Sequence, residues 1–578
     1  MVYTLAVFLL FGVLFGLASA RQSAKGVATM KTSESRVCRK GASFLTSTAG
    51  YGVNALAVFA LIAFIGVPAL GQTAVWTYHY DNNRTGWNSA ESKLTPANVG
   101  SSSFGLLRTV TLDDQVDAQP LVVPSVMITA GSHRGGIHDV VYVATEGNSI
   151  YAIDVHTGTV LLQPYFGPPV PYPLGCGNNG PNVGINGTPV IDLSSNTMYV
   201  VIYTNDLAGP TYRIHALDLG SLADKVAPEV VAASHLLIDG STFFFNGAYQ
   251  RQRPGLLLLN GVVYAAFGSF CDFAANVSRG WLLGWSTGTL APLPNNELLD
   301  TQATSLLNFF LSSIWMSGYA PSADDDSNIF FVTGNSSYFG STYDGVTNIQ
   351  ESVVKVSPDL TTVVDLFTPK NVSALDQTDG DFGSGGVMVL PDQPGTIPHL
   401  AVAAGKVGGM FLMNADRLGG YSNHENHVLG NYPIGACWCG ESYFVDPNDG
   451  LARVVSSGGR NVMVWSLQTS PQPALFKVSS SSYLGGGQFG GFFTVVSSNG
   501  QANPIIWAVS HPPNAGPLYP IKLFAFDPES GGGTMTTLFH ANAGYWPNVG
   551  GNANVVPIVA NGQVFVASHL QLQIFGLK

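Results

Sequence analysis

One pattern recurs along most of this chain and constrains its fold more than any other feature. In each copy, an apolar strand leads through a turn rich in Gly or Asn to a second apolar strand, which often ends in Asp. The copies are spaced by roughly 50 to 70 residues, a period in the range of β-propeller blades with insertions. The eight copies begin at Val140, Thr197, Val262, Asn328, His399, Ala452, Pro504 and Gly562.

A further strand lies between most copies and follows Pro or Gly, as in "AQPLVV" from Ala118 and "GTPVIDL" from Gly187. Alternation with a period of two residues and closely spaced turns indicate strands rather than helices. A four-stranded unit cannot bury both of its faces alone, whereas a closed ring of such units can, and closure also protects the strand edges. The sequence therefore predicts an all-β fold, an eight-bladed β-propeller of four-stranded antiparallel blades, over residues 72–578.

Two segments extend this prediction. The last copy reaches the end of the chain with its strands barely complete, and an unpaired edge is unfavourable. We therefore expect an early strand, "FGLLRTVTL" from Phe104, to complete the last blade. Apolar residues in "ELLDTQATSLLNFFLSSIW", from Glu297, have helical spacing instead and predict a short helix on an insertion.

Two apolar runs precede the repeats. The second follows "MKTSESRVCRK" and ends in Ala69-Leu70-Gly71, so it has the basic start, apolar core and small-residue cleavage site of a secretory signal. We expect residues 30–71 to be a signal peptide, residues 1–29 to be upstream read-through or an extra N-terminal segment, and the mature protein to be secreted or periplasmic without a stable membrane span. Two transmembrane helices, or an uncleaved anchor, are the alternative.

Composition narrows the classes of partner. Charged residues make up only 10% of the chain, and the formal net charge is -12. Lys and Arg form no stripe, which argues against nucleic-acid binding because phosphate contacts need clustered cations. The partners that we expect are a small-molecule ligand or another protein of the cell envelope.

The segment "GACWCGESYF" suggests a first candidate site. It holds Cys437 and Cys439, and "HENH" upstream supplies His424 and His427. Two imidazoles and two thiolates suit a Zn²⁺ or copper ion. The spacing differs from that of a standard zinc finger, and exported thiolates need protection from oxidation. A redox pair and structural cysteines therefore stay open beside the metal site.

The segment "DQTDGDFGSGG" suggests a second site. Its Asp376, Asp379 and Asp381 are closely spaced around Gly, and Ca²⁺ takes several hard oxygen ligands from a flexible turn. The EF-hand pattern is not matched. The alternative is an ordinary Asp-Gly turn between strands.

A Gly- and Asn-rich loop, "LGCGNNGPNVGINGTP", spans Leu174–Pro189. Such a loop can line the mouth of a propeller channel and present backbone donors to a ligand, or it can simply connect two blades. It contains Cys176. With Cys271 and the two cysteines above, four cysteines follow the signal segment and allow three complete pairings, among which the sequence does not choose.

Three repeat copies resemble a known family. "AIDVHTG" from Ala152, "ALDLGS" from Ala216 and "AFDPESG" from Ala525 resemble the Ala-x-Asp-x-x-Thr-Gly signature of pyrroloquinoline quinone (PQQ) repeat propellers. "YDNNRTGWNSAESKLTPANVG", from Tyr80, looks like the N-terminal segment of the same superfamily. Other stretches, such as "AVAAGKVGGMFLMNADRLGGY", are similar to a secreted bacterial branch of PQQ-like propellers that is mostly uncharacterised. The resemblance covers nearly all of residues 76–578.

This resemblance implies a fold like that of quinoprotein alcohol dehydrogenases, with PQQ and Ca²⁺ as the cofactors of its enzymes. The chain departs from those enzymes in several ways. Leu162 stands where the signature has Trp, no two cysteines are adjacent, no Cys-x-x-Cys-His attaches a haem, and the calcium ligands cannot be placed by motif. No motif assigns catalytic residues either.

Three functions follow from the sequence. The first is an exported propeller that binds a small molecule or a protein partner through loops around its channel. The second is a quinoprotein-like oxidoreductase that depends on PQQ and Ca²⁺ and acts on an alcohol or a sugar. The third is a non-catalytic envelope scaffold, which would recruit other proteins through its strand edges or its rim.

Overall fold

The eight repeat copies form eight blades, as the sequence predicts. Each copy supplies the second and third strands of one antiparallel sheet. A computed structural model describes residues 72–177, 180–271, 277–303, 311–336, 343–484, 490–511, 519–529, 532–547 and 554–578. The expected signal peptide and the segment before it lie outside the described residues. None of the helices in the described ranges has the length and apolar character needed to cross a membrane.

The blades follow one another along the chain, and within blades 1 to 7 the four strands pair in sequence order, whereas the fourth strand of blade 8 comes from before blade 1. Blade 1 comprises Leu121–Met127, Ile137–Ala144, Ile150–Asp154 and Val160–Leu162, and blade 2 comprises Val190–Asp192, Thr197–Asp206, Gly209–Asp218 and Glu229–Val230. Blade 3 comprises Leu257–Leu259, Val262–Ser269, Trp281–Ser286 and Glu297–Leu298, and blade 4 comprises Ser322–Ala323, Ile329–Val332, Val353–Val356 and Val363–Thr368. Blade 5 comprises Val387–Val389, Leu400–Ala404, Gly409–Asn414 and Gly430–Pro433, and blade 6 comprises Ser442–Val445, Ala452–Ser456, Met463–Gln468 and Ala474–Ser480. Blade 7 comprises Phe493–Asn499, Ala502–Val509, Tyr519–Asp527 and Thr536–Trp546, and blade 8 comprises Ile558–Ala560, Gln563–Ser568, Gln571–Leu577 and Phe104–Thr111.

The remaining elements decorate this ring. Three short strands extend the blades: Gln250–Gln252 in blade 3, Gly420–Tyr421 in blade 4 and Trp87–Asn88 in blade 7. Two small hairpins pair Val170–Pro171 with Asn182–Val183 and Ser234–Leu236 with Thr242–Phe244. Among the residues that the structure describes, the helices are Pro96–Val99 and Val372–Thr378, with 3-10 turns at Pro173–Gly175, Met316–Gly318 and Phe382–Ser384.

The ring closes with a strand from the start of the described chain. Phe104–Thr111 pairs antiparallel with Gln571–Leu577, from Phe104 opposite Leu577 to Thr111 opposite Gln571. This confirms the predicted closing strand. The predicted helix from Glu297 is wrong at its start, because Glu297–Leu298 is instead the outer strand of blade 3, and residues 304–310 of that segment lie outside the described residues.

The hydrophobic core lies between neighbouring blades. Tyr199 and Ile214 of blade 2 pack into one cluster with Val263 and Trp281 of blade 3. Blades 4 and 5, 5 and 6, and 6 and 7 share clusters in the same way. Burying one such large apolar side chain contributes about 1.5–3 kcal/mol. Each blade is therefore stabilised mainly by its neighbours, as the ring prediction requires.

A short segment before the closing strand crosses the centre of the ring. We call residues 75–91 the clasp. Its backbone or side chains hydrogen-bond to the first strand of every blade, which shows that these strands line the centre and that the clasp fills the channel between them. Its partners in blades 1 to 8 are Val122, Ile191, Leu258, Ala323, Val389, Tyr443, Val496 and Val559.

Arg84 anchors the clasp from a fully buried position. Its Nε donates to the Pro321 carbonyl at 2.8 Å, and its Nη2 donates to the Leu256 carbonyl at 3.4 Å. Its Nη1 donates within the clasp, to Thr77 Oγ1 at 2.8 Å and to the carbonyls of Tyr78 and Asp81 at 3.0 Å each. One guanidinium thus joins the clasp to the segments that enter blades 3 and 4.

Glu441 is an acidic group enclosed beside the clasp. It stands directly before the first strand of blade 6, where blades 1, 2, 4 and 8 have Pro. Its side chain is fully buried, and neither carboxyl oxygen has a hydrogen-bonding partner among the described residues. Burial raises the pKa of Glu441 to about 7.

This burial predicts a pH dependence of stability. A carboxyl group whose pKa is higher in the folded state contributes most at low pH, and stability falls as pH rises from its unfolded value near 4.5 to about 7. The full effect of such a shift is about 3 kcal/mol. Glu441→Gln should lack this pH dependence, which urea titrations from pH 4 to 8 measure. Between pH 4 and pH 8, we expect the free energy of unfolding of the variant to rise by about 3 kcal/mol relative to that of the wild type.

The difference between the two proteins is the informative quantity. Burial lowers the pKa of His79 to about 3, which gives both proteins a slope of opposite sign below pH 6.5, and that slope cancels in the difference. A difference that is constant from pH 4 to 8 would show that Glu441 titrates normally in the folded protein.

Candidate functional site

A cavity opens where the chain enters the first strands of blades 3 to 6. We call it the channel-mouth cavity, and its volume is about 210 Å³. It is lined by the cations Arg251, Arg253 and Lys406, the carboxylates Asp379 and Asp381, the aromatic residues Trp315 and Trp438, and Ser269, Cys271, Ser317 and Ser384. Charged residues of both signs and two indole rings converge on this cavity in a chain with few charges, which marks it as the leading candidate site.

The clasp closes the channel below this cavity. Ser317 lines the cavity, and two residues further along the chain the Tyr319 hydroxyl donates to the Arg84 carbonyl of the clasp at 3.0 Å. The Tyr319 ring also packs edge-on against Tyr78 and His79, with ring centroids 4.9 and 5.2 Å away. The channel-mouth cavity is therefore a pocket with a floor rather than the entrance of an open pore.

The structure brings two of the three predicted aspartates to the cavity. Lys406 Nζ lies 2.6 Å from Asp379 Oδ2 and 3.1 Å from Asp381 Oδ2. Asp376 lies behind them and accepts from the Ser336 amide at 3.0 Å and from Gln350 Nε2 at 2.5 Å. The three carboxylates thus bind Lys406, the Ser336 amide and the Gln350 side chain, and they do not converge as a calcium site.

Burial changes the acidity of this group. It raises the pKa of Asp381 to about 6 against the effect of Lys406, and it raises that of Asp376 to about 6 as well. The pKa of Glu351 is raised well above its usual value by burial and by the charges of Asp381 and Asp376. Burial alone would lower the pKa of Lys406, but Asp381 and Asp379 outweigh it and raise that pKa. Shifted groups of this kind cluster at functional sites.

The structure does not assemble the predicted His-Cys metal site. Cys437 and Cys439 form a disulfide, so neither sulfur is a thiolate ligand, and both residues are fully buried. His424 and His427 lie exposed on a turn. Over the described ranges, no three or more His, Cys, Asp or Glu side chains are grouped so that they could hold a metal ion.

Of the three cysteine pairings left open, the structure has Cys176–Cys271 and Cys437–Cys439. Both disulfides adjoin the channel-mouth cavity. Cys271 lines it directly, and Trp438, between the two cysteines of the other disulfide, places its ring 5.4 Å from Lys406 Nζ.

The Gly- and Asn-rich loop supports the cavity from behind. Asn186 Oδ1 accepts from Arg251 Nε at 3.2 Å and from Nη2 at 3.1 Å. The Asn186 amide nitrogen donates to Glu146, which also accepts from the Gly184 amide at 2.7 Å. The loop therefore orients Arg251, and its Cys176 is tied to Cys271 at the cavity wall.

Sequence patterns did not identify Arg251, Arg253 or Lys406. The sequence does contain a signal for the two arginines. They stand in "QRQRP", which precedes the first strand of blade 3 as "DAQP" and "NGTP" precede those of blades 1 and 2, and two charges at this place are unusual in a chain with few charges. Arg253 is the less well satisfied of the two. Its Nη2 donates to the Asn554 side-chain oxygen at 2.8 Å, with the Asn554 nitrogen donating to the Ser317 carbonyl, whereas its buried Nε has no partner among the described residues.

The cofactors implied by the family resemblance fit this cavity only in part. Cations and two indole rings suit a flat carboxylate such as PQQ. The volume is below the roughly 300–1,000 Å³ usual for ligand pockets, and the nearby carboxylates are engaged by Lys406 and by backbone and side-chain amides. As arranged, these residues do not form a site for PQQ with a calcium ion.

Comparison with known proteins confirms the fold. Neither family models nor curated proteins match the chain. Among solved structures, the quinohemoprotein alcohol dehydrogenase of Comamonas testosteroni is 12% identical, with a TM-score of 0.56 over 87% of this chain and 80% of its own. The alcohol dehydrogenase ADHIIG of Pseudomonas putida HK5 gives the same values. A europium-containing methanol dehydrogenase is 11% identical, with a TM-score of 0.54 over 87% of this chain and 98% of its own.

These neighbours are quinoprotein dehydrogenases with β-propeller folds. They confirm the predicted all-β, quinoprotein-like architecture, to which the structure gives eight blades. At such low identity the similarity shows the fold alone.

Proposed function

We propose that residues 72–578 form an exported β-propeller that binds a small polar molecule in the channel-mouth cavity. The observation that carries this proposal is the convergence of three cations, two carboxylates and two indole rings on one floored pocket. Residues 30–71 are proposed to direct export, with residues 1–29 upstream of the signal. Two disulfides in a chain of this kind support an oxidising, secreted or periplasmic setting.

Ligand binding is expected to stabilise the folded protein. A ligand at 100 times its dissociation constant adds about 2.7 kcal/mol to the free energy of unfolding. Thermal unfolding should be followed with sugars, sugar acids, amino acids, dicarboxylates and nucleotides, one class at a time. We expect one class to raise the melting temperature of the wild type and to have less effect on Lys406→Met, whereas Lys477→Met, an exposed lysine away from the cavity, should respond as the wild type does.

Two outcomes oppose this proposal. If no class raises the melting temperature, the channel-mouth cavity does not hold a small molecule, and a pulldown of a partner protein would then support the scaffold. If Lys406→Met responds fully to the ligand, binding occurs at another surface.

A quinoprotein-like oxidoreductase is the second candidate, and the fold of its neighbours is the observation that favours it. Bound PQQ would supply hydride acceptance from an alcohol or a sugar. Adding PQQ and Ca²⁺ to the purified protein, then recording the absorption spectrum and dye reduction with alcohols, tests this candidate. Retained quinone together with dye reduction would favour the enzyme. The absence of both would exclude it.

A further inference from the structure

One wall of the channel-mouth cavity has positive charge that no carboxylate neutralises at short range. Among the described residues, Arg251 and Arg253 form no salt bridge within 4.0 Å, and Arg253 Nε is buried without a partner. Both guanidiniums donate to neutral amides, Arg251 to Asn186 and Arg253 to Asn554, and neutral amides do not balance two positive charges. Because a buried N–H without an acceptor is also unfavourable, this arrangement is better explained by an anion that joins it.

The acids behind this wall do not remove the need for an anion. Asp117 and Glu146 both act on the two arginines, but burial and the charge of Asp117 raise the pKa of Glu146 well above its usual value. The two acids therefore carry less negative charge than the two arginines carry positive charge. Burial and the charge of Arg251 lower the pKa of Arg253 to about 9, so Arg253 is still cationic at neutral pH. A guanidinium is matched in shape to a carboxylate, which it can bind through two parallel hydrogen bonds.

A second polar group belongs to the same wall. Ser317 is fully buried and lines the cavity, and its hydroxyl has no partner among the described residues. Asn554 joins it to Arg253, because the Asn554 side chain accepts from Arg253 and donates to the Ser317 carbonyl. The Ser317 residue and the Arg253 guanidinium are therefore linked at the wall of one cavity, where each has an unpartnered donor.

The other lining residues favour hydroxyl groups and C–H faces in the rest of the ligand. Asp379 and Asp381 accept hydrogen bonds and Lys406 donates them, and these three residues belong to blade 5 or directly precede it, whereas the arginines precede blade 3. Trp315 and Trp438 offer apolar ring surface between polar groups. A volume of about 210 Å³ suits a compound of monosaccharide size better than a drug-sized ligand.

We infer that the ligand is a sugar acid, a small polyhydroxylated carboxylate whose carboxylate binds Arg253 and Ser317 while its hydroxyls face Asp379, Asp381 and Lys406. This inference rests on the proposed ligand-binding function and names the ligand class for that same cavity. Arg253 is its specificity-determining residue, since the arginine distinguishes an acid from the neutral sugar of the same shape.

The test compares matched pairs of ligands by calorimetry on the purified protein. Glucuronate, galacturonate and mannuronate are titrated beside glucose, galactose and mannose. Loss of one charge-assisted interaction weakens binding by about 10- to 100-fold, so we expect one acid to bind at least tenfold tighter than its neutral partner. Arg253→Met should abolish that preference, Arg253→Lys should keep part of it, and Ser317→Ala should weaken the acid alone.

Arg134→Met, an exposed arginine away from the cavity, is the matched control and should leave the preference unchanged. The sugar-acid inference is overturned if neutral sugars bind as tightly as the acids, if another class of ligand binds and the acids do not, or if folded Arg253→Met keeps the preference. Failure of every ligand class, neutral ones included, would instead overturn the proposed function itself. Melting temperatures of all variants establish that each one is folded.

Discussion

Arg84→Met is expected to lower the free energy of unfolding by about 3–5 kcal/mol, because it removes the donor group that joins the clasp to two blades. The buried guanidinium makes five hydrogen bonds of 2.8–3.4 Å, four of them to backbone carbonyls. Methionine fills much of the same volume but leaves those carbonyls buried without a donor. Such a loss is a large part of the roughly 5–15 kcal/mol that stabilises a typical protein.

Chemical denaturation of the wild type and Arg84→Met measures this loss. Arg134→Met again serves as the control, and removing an exposed arginine should change stability by no more than about 0.5 kcal/mol. The clasp also predicts how Arg84→Met unfolds. Because one segment contacts all eight blades, its release should loosen the whole ring and shorten the native lifetime rather than expose one blade. A loss below about 1 kcal/mol would mean that the clasp does not depend on its arginine.

The ring was predictable from the sequence because its information is local. Each blade repeats two apolar strands around a turn, as in the copy from Val140, and eight copies indicate a closed ring without knowledge of any distant contact. The closing strand from Phe104 followed from the same argument about edges. The clasp was not predictable in this way. Its contacts come from the side chains of Tyr80, Asn82, Asn83 and Asn88 and from single backbone groups, in a segment without periodicity.

The channel-mouth cavity was predictable only in part, for a related reason. Asp379 and Asp381 stand in one short motif, so their spacing alone marked them as a candidate site. Their partner Lys406 is 25 residues beyond Asp381, in a turn of blade 5. Arg253 precedes blade 3, and its presence at the same cavity depends on how blades 3 to 6 are arranged around the axis. A site assembled from several repeats is set by ring geometry, which one linear motif does not encode.

The two disulfides should differ in what they stabilise. Cys176 and Cys271 are 95 residues apart in sequence, whereas Cys437 and Cys439 are separated by 2. In the chain-entropy model, a cross-link stabilises by restricting the unfolded chain, by about 4–5 kcal/mol for the long loop and about 1.5 kcal/mol for the short one. Cys176→Ser/Cys271→Ser should therefore be far less stable to urea than Cys437→Ser/Cys439→Ser.

The short disulfide is expected to act on the ligand site instead. Trp438 lies between its cysteines, and the segment is held by the Cys437 carbonyl, which accepts from Ser384 Oγ at 2.8 Å, and by the Trp438 amide, which donates to the Gly490 carbonyl at 3.2 Å. Without the cross-link, Trp438 gains freedom that ligand binding must then remove, which weakens binding by about 2- to 10-fold. The two double variants are compared with each other for stability, and the ligand affinity of Cys437→Ser/Cys439→Ser is compared with that of the wild type by calorimetry, with folding checked by circular dichroism. Equal losses of stability in the two double variants would mean that loop length does not determine what these disulfides contribute to stability. An unchanged ligand affinity in Cys437→Ser/Cys439→Ser would mean that packing alone positions Trp438.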